Sequence, residues 1–189
     1  MFSNANIWSE KSFVIVRFLG RNYNESFYVR ELSGILGLAL GPVSETLKGL
    51  FSAGILKREV RGRIVNYRAN MNSPLLLEMK ILITLMECQK LLAELEIPEK
   101  KVIRIILFGS CARGEDSFES DIDLLIETDE KKKISSLLNS YEFIEDRKLS
   151  AVIVTPNELR NVRNRDRPFY ERVMQGKELY RRTEDEIKV

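Results

Sequence analysis

The sequence predicts an α+β protein of two domains, and three observations carry that prediction. Residues 8–69 show three helical apolar patterns and then two alternating runs around a glycine; residues 74–95 are an unbroken stretch of helix formers; from residue 102 onward strand-like and helix-like segments alternate. The expected boundaries are an N-terminal domain over 1–73, a connecting or dimerisation helix over 74–98, and a C-terminal domain with a small mixed sheet over 99–189. A chain of 189 residues with 44% hydrophobic composition can fill two small cores.

The first helix is expected over 8–19, where Trp8, Phe13, Val14, Val16, Phe18 and Leu19 make a broad apolar face. A second covers 28–36 and stops near Gly37. A third opens at Gly41-Pro42, with proline at the tolerated first-turn position, and covers 42–53 before Gly54. Its buried side should hold Val43, Leu47, Leu50 and Phe51, leaving Ser44, Glu45, Thr46 and Lys48 nearer the exposed face. Residues 55–60 and 64–69 flank Arg61-Gly62-Arg63, which describes a β-hairpin with a basic turn.

The long helix Pro74–Leu95 carries apolar residues on more than one face. That width fits two uses: packing against a second copy of the chain, which makes a homodimer, or burial between the two domains of one chain.

In the C-terminal half, 102–108 and 121–126 read as apolar strands. Residues 130–141 read as a helix with Ile134, Leu137 and Leu138 on one side and Lys131, Lys132 and Lys133 on the other. A third strand is expected over 149–155, short helices over 156–162 and 169–174, and a last extended piece over 176–180.

Between the first two of these strands stand Gly109-Ser110 and, after a spacer, Asp121-Ile122-Asp123. Residues two apart in a strand share a face, so Asp121 and Asp123 point the same way while Ile122 points into the core. Adjacent carboxylates repel and are stabilised by a divalent cation, and oxygen-only ligands favour Mg²⁺ or Mn²⁺. Gly109 lets the backbone approach a ligand closely. Ser110 offers a hydroxyl and an amide at the expected start of a helical turn, where phosphate binds well. A phosphate cradle beside a metal pair describes a phosphoryl or nucleotidyl transfer site for a nucleoside triphosphate.

Composition narrows the chemistry. The chain has no histidine, which excludes Ser-His-Asp triads, His-ligated zinc and histidine bases, so acid-base and metal work falls to carboxylates. Cys88 and Cys111 lie in different predicted elements without metal-ligand spacing, as expected of reduced thiols in a cytoplasmic protein. No signal peptide and no membrane-spanning apolar run is read, so no membrane partner is expected. Net charge is +2, but residues 1–70 hold 10 Lys/Arg against 5 Asp/Glu and residues 71–189 hold 20 against 23, so the basic end is the one expected near nucleic acid.

Gly109-Ser110, Ala112-Arg113-Gly114 and Ser120-Asp121-Ile122-Asp123 followed by an apolar strand resemble the DNA polymerase β-like nucleotidyltransferase superfamily, in particular its minimal members. The resemblance implies that Gly109, Ser110 and Arg113 bind the triphosphate and that Asp121 and Asp123 are catalytic and hold Mg²⁺ or Mn²⁺. The family usually adds a third carboxylate on the next core strand, facing the pair. Here that strand, 149–155, contains no acid; Glu145 and Asp146 just precede it and Glu158 just follows it.

The N-terminal pattern resembles the winged helix-turn-helix domain of bacterial and archaeal regulators, over about residues 8–75. That resemblance implies a double-stranded DNA partner, with Ser44, Thr46 and Lys48 facing the major groove and Lys57, Arg58, Arg61 and Arg63 meeting phosphates. Two functions therefore compete: a metal-dependent nucleotidyltransferase fused to a DNA-binding domain, transferring a nucleoside monophosphate to a hydroxyl, or a DNA-binding transcription regulator whose nucleotidyltransferase-like domain senses nucleotide or a partner.

Overall fold

The computed structural model describes residues 7–96 and 101–182, the side chain of Arg61 excepted. It divides into two units. One runs to Ile83 and includes Gly114–Phe118; the other takes Thr84–Arg113 and the chain from Glu119 onward.

In the first unit, helix α1 (Glu10–Arg21) begins where the Ser9 hydroxyl accepts the Ser12 amide at 3.2 Å, an N-cap that satisfies an otherwise orphaned donor. It buries Ile15, Val16 and Leu19, whereas Trp8 and Val14 remain exposed. Strand β1 (Phe27–Tyr28) leads into α2 (Val29–Leu36), which ends at Gly37 in the left-handed conformation, φ 64°. Helix α3 (Leu40–Ser52) turns Val43, Leu47 and Leu50 inward. Phe51, expected on the same side, is exposed: it lies about 80° around the helix from Val43, outside the inward stripe.

Strands β2 (Leu56–Arg61) and β3 (Ile64–Ala69) pair antiparallel from Leu56↔Ala69 to Arg61↔Ile64, leaving the two-residue turn Gly62-Arg63. Gly62 sits at φ 63° and Arg63 does not share that region, the pattern of a type II′ turn, which matches the strand twist. The short β1 extends the sheet along the other edge of β3. Leu76, Met79 and Ile83, from the start of α4 (Pro74–Leu95), complete this core with Leu32, Leu47 and Ile55.

One polar cluster lies inside it. Asp116 is 3.7 Å from Arg21 and 3.5 Å from Lys80, all three side chains at most 5% exposed. Lys80 also donates to the Asp116 carbonyl at 2.6 Å. Burial of two cations and one carboxylate is tolerable because each cation has the acid within reach.

The second unit is built on the five-stranded order β6-β7-β5-β4-β8. Its strands are β4 (Val102–Phe108), β5 (Ile122–Thr128), β6 (Phe143–Ile144), β7 (Arg147–Val154) and β8 (Lys177–Arg181). Only β5 and β7 run parallel, and helix α5 (Lys131–Leu138) makes that crossover. Alternation along the strands fills both faces. Ile105, Leu107, Ile122, Leu124 and Ile126 pack with Cys88, Leu91 and Leu95 of α4 and Ile134 of α5. Ile106, Leu125 and Val154 pack on the other face with Leu159 of α6 (Pro156–Arg165) and Val173 of α7 (Arg167–Met174). Two short strands, β1 and β6, are absent from the sequence expectation; two residues carry no periodicity to read. On α4, Leu82 and Met86 stay exposed. No helix among the described residues is long and apolar enough to cross a membrane.

Candidate nucleotide site

Phe108, the last residue of β4, pairs across the sheet with Asp123 near the start of β5, so the Gly109-Ser110 turn leaves one strand where the acid pair enters the next. Gly109 is left-handed, φ 72°, and a Cβ there would fall on Asp123 Oδ2 and stand 3.2 Å from Cγ. Only glycine combines that backbone with that approach. After Ser110 the chain forms a 3-10 turn, Cys111–Arg113, closed by the Arg113 amide on the Ser110 carbonyl at 3.1 Å. The exposed Arg113 folds back, its Nη1 donating to the Gly109 carbonyl at 2.9 Å.

Asp121 is exposed, Ile122 fully buried and Asp123 half-buried, the alternation expected of the pair. Behind them lies a polar scaffold. Cys111 Sγ donates to the Asp121 carbonyl at 3.2 Å and accepts from Arg147 Nη1 at 3.1 Å. Nη2 of Arg147 in turn donates to Thr84 Oγ1 at 3.1 Å and to Glu87 Oε2 at 2.6 Å. This guanidinium, 1% exposed, therefore holds Cys111, which follows the Gly109-Ser110 turn, and through Cys111 it also holds the backbone of Asp121. Cys111 is thus a buried positioning residue.

Ser150 of β7 lies in register beside Asp123. Burial pushes the Asp123 carboxyl above its ordinary value; the Ser150 hydroxyl draws it down, Asp121 raises it further, and the Arg172 guanidinium opposes the rise. Arg172 belongs to α7. Its guanidinium stands 5.8 Å from the ring of Phe169, which meets Phe108 edge-on at 5.9 Å.

None of the acids flanking β7 takes the place facing the pair. Glu145 and Asp146 form the β6–β7 turn, before the residue paired with Ile144. Glu158 caps α6 at the opposite end of β7, accepting from the Thr155 amide at 2.8 Å and from Lys131. Among the described residues no three His, Cys, Asp or Glu side chains gather as a metal cluster. Two carboxylate oxygen donors on one face, one of them half-buried beside a hydroxyl, still fit one hard divalent cation with water filling its remaining positions.

Sequence reasoning missed Arg147, Ser150, Arg172 and Phe169 as site neighbours. Each arrives from an element remote in sequence, and no local pattern marks it.

The residues expected to meet DNA separate in the first unit. Ser44 and Thr46 are half-buried and Lys48 exposed on α3; Lys57 is half-buried and Arg58 exposed on β2; Arg63 is exposed at the hairpin turn. Arg61 ends β2, but its side chain lies outside the described residues. Ser44 and Arg63 line a groove of about 580 Å³ with Tyr28, Arg30, Leu40 and Ile64.

The family model described as Polymerase beta, Nucleotidyltransferase matches residues 87–185, just over half of the chain. The chain belongs to this family, and its second unit is a nucleotidyltransferase-type domain. A protein of Methanocaldococcus jannaschii, named as a candidate protein adenylyltransferase, is 49% identical over 47 residues, covering 24% of this chain and 47% of that relative; the match therefore spans less than half the relative's length. Among solved structures, the crystal structure of the AntR antimony-specific transcriptional repressor matches at 23% identity and a TM-score of 0.38, over 48% of this chain and 75% of that one. That likeness is too slight to establish a shared fold.

Proposed function

We propose that the protein binds a nucleoside triphosphate together with one divalent cation and transfers the nucleoside monophosphate to a hydroxyl of a protein acceptor. The carrying observation is the close seating of Gly109 against the Asp123 carboxylate, which makes the phosphate turn and the acid pair one site. Gly109 and Ser110 hold the phosphates, Arg113 offsets their charge, and Asp121 and Asp123 hold Mg²⁺ or Mn²⁺. The cation, when bound, withdraws charge from the phosphate oxygens. In the transfer the acceptor oxygen bonds the α-phosphorus, the bond from that phosphorus to the pyrophosphate oxygen breaks, and the hydroxyl proton passes to solvent. The name of the archaeal relative supports ATP and a protein hydroxyl as the reactants.

The test is pyrophosphate release from labelled ATP, CTP, GTP and UTP with Mg²⁺ or Mn²⁺. Asp121→Asn and Asp123→Asn should each lower it by about 100-fold or more. Tight nucleotide binding without release would make the domain a sensor, and absence of binding would end the site assignment.

A second reading concerns the first unit. Three helices followed by a hairpin with a basic turn, and a groove bearing Arg30, Ser44 and Arg63, support a winged helix-turn-helix domain that binds double-stranded DNA. Arg61→Ala with Arg63→Ala should weaken binding to every duplex and lower the salt slope by about 2. Unaltered affinity removes this reading.

A further inference from the structure

The basic surface of the second unit lies on α6 and α7. Arg163, Arg165 and Arg172 are all exposed, and among the described residues none of them makes an ion pair. Their neighbours on the same helices are already engaged: Arg167 is paired with Glu171 at 2.7 Å, and Asp166 caps α7 by accepting the Phe169 amide at 3.1 Å. Among the described residues Arg163 and Arg165 thus stand without an acid partner, and Arg172 acts on the Asp123 carboxylate without pairing with it.

Two of them are also held in place. Arg163 lies over the Tyr170 ring at 5.9 Å and Arg172 over the Phe169 ring at 5.8 Å. A guanidinium resting on an aromatic face gives up less side-chain freedom when it meets an anion, and arginine with aromatic neighbours is the composition of binding hot spots. The surface reaches the nucleotide site: Phe169 contacts Phe108, which precedes Gly109 and pairs with Asp123.

We infer that the exposed arginines of α6 and α7 dock an acidic segment of the acceptor protein, carboxylates meeting Arg163, Arg165 and Arg172, so that a neighbouring hydroxyl reaches the site beside Asp121 and Asp123. This rests on the reading of the site as one that transfers to a protein hydroxyl, and it adds the chemistry of the partner. Carboxylates suit planar guanidiniums, which bind them through two parallel hydrogen bonds. A nucleic-acid strand suits the face less well. The arginines cover a face of each ring on which a base would stack.

The experiment uses the full chain and a random copolymer of glutamate and tyrosine as the acidic probe, with a lysine-tyrosine copolymer as control. Binding is followed by fluorescence anisotropy without nucleotide. The acidic copolymer should bind, more weakly as salt rises, and the lysine copolymer should not. Arg163→Glu with Arg165→Glu should weaken that binding at least about tenfold while ATP affinity stays unchanged. Arg163→Lys with Arg165→Lys, which keeps the charge, should retain most of it. Equal affinity of wild type and the Glu variant for the acidic copolymer would overturn the inference. So would a single-stranded RNA oligonucleotide that binds the same arginines more tightly than the copolymer. The two failures are distinguishable: docking is read without nucleotide, whereas loss of ATP binding in the wild type would overturn the function proposed for the site.

Discussion

Asp123 and Ser150 lie side by side in the parallel pair β5–β7, a hydroxyl occupying the position from which a third acid would face the pair. The site therefore carries two carboxylates and draws further positive character from Arg172. Holding one cation needs no more than this, since water can complete its shell.

Ser150→Asp should convert the pair into a triad. Affinity for a hard cation follows the number of charged oxygen ligands, so Mn²⁺ binding, read by electron paramagnetic resonance, should tighten by about tenfold or more. Unchanged Mn²⁺ affinity would show that position 150 does not reach the metal.

Two glycines separate strain from collision. At Gly37, φ 64°, no atom lies within 4 Å of an added Cβ, so Gly37→Ala should cost only the left-handed backbone, about 1 to 2 kcal/mol. At Gly109, φ 72°, the added Cβ also meets the Asp123 carboxylate. Gly109→Ala should cost more in urea unfolding and abolish nucleotide binding; equal costs at the two positions would refute the close seating.

Asp116 reaches both buried cations of the first unit, Arg21 at 3.7 Å and Lys80 at 3.5 Å. Asp116→Asn removes a buried carboxylate from both ion pairs, a change expected to destabilise the first unit by about 3 to 5 kcal/mol. The urea midpoint of that unit, followed through Trp8 fluorescence, measures it.

Cys88 is buried and its thiol is pushed up to about 12, burial being the main cause and the Arg147 charge opposing it. The folded value lies above the unfolded one of about 8.5, so the folded chain holds this proton more tightly. The associated stability is complete below about pH 8.5 and is lost as pH rises toward the folded value. Urea midpoints should fall from pH 9 upward in the wild type and less steeply in Cys88→Ala. At pH 8 a thiol reagent should label neither cysteine of the native chain and both after unfolding, since Cys88 and Cys111 are buried thiols outside any disulfide.

The placement of Asp121 and Asp123 beside the Gly109-Ser110 turn was legible because each depends on neighbours in the chain. Alternation puts Asp121 and Asp123 on one face and Ile122 on the other, and glycine before serine marks a backbone turn with exposed amides. Helices and strands followed from the same local periodicities, with errors of a few residues at the ends, two short strands missed, and Trp8, Val14 and Phe51 exposed where an apolar face was expected. Their partners across space were not legible. Which residue of β7 stands beside Asp123 depends on strand register, and the place of Arg172 depends on how α7 packs through Val173.

By itself, then, the sequence determined the elements, the acid pair and the Gly109-Ser110 turn, because those are set by bonded geometry and by apolar spacing. Tertiary structure alone decided that Ser150 faces Asp123, that Arg147 braces the turn through Cys111, and that Arg172 of α7 borders the site. Those relations join residues tens of positions apart, and only packing of the strands and helices brings them within reach of one another.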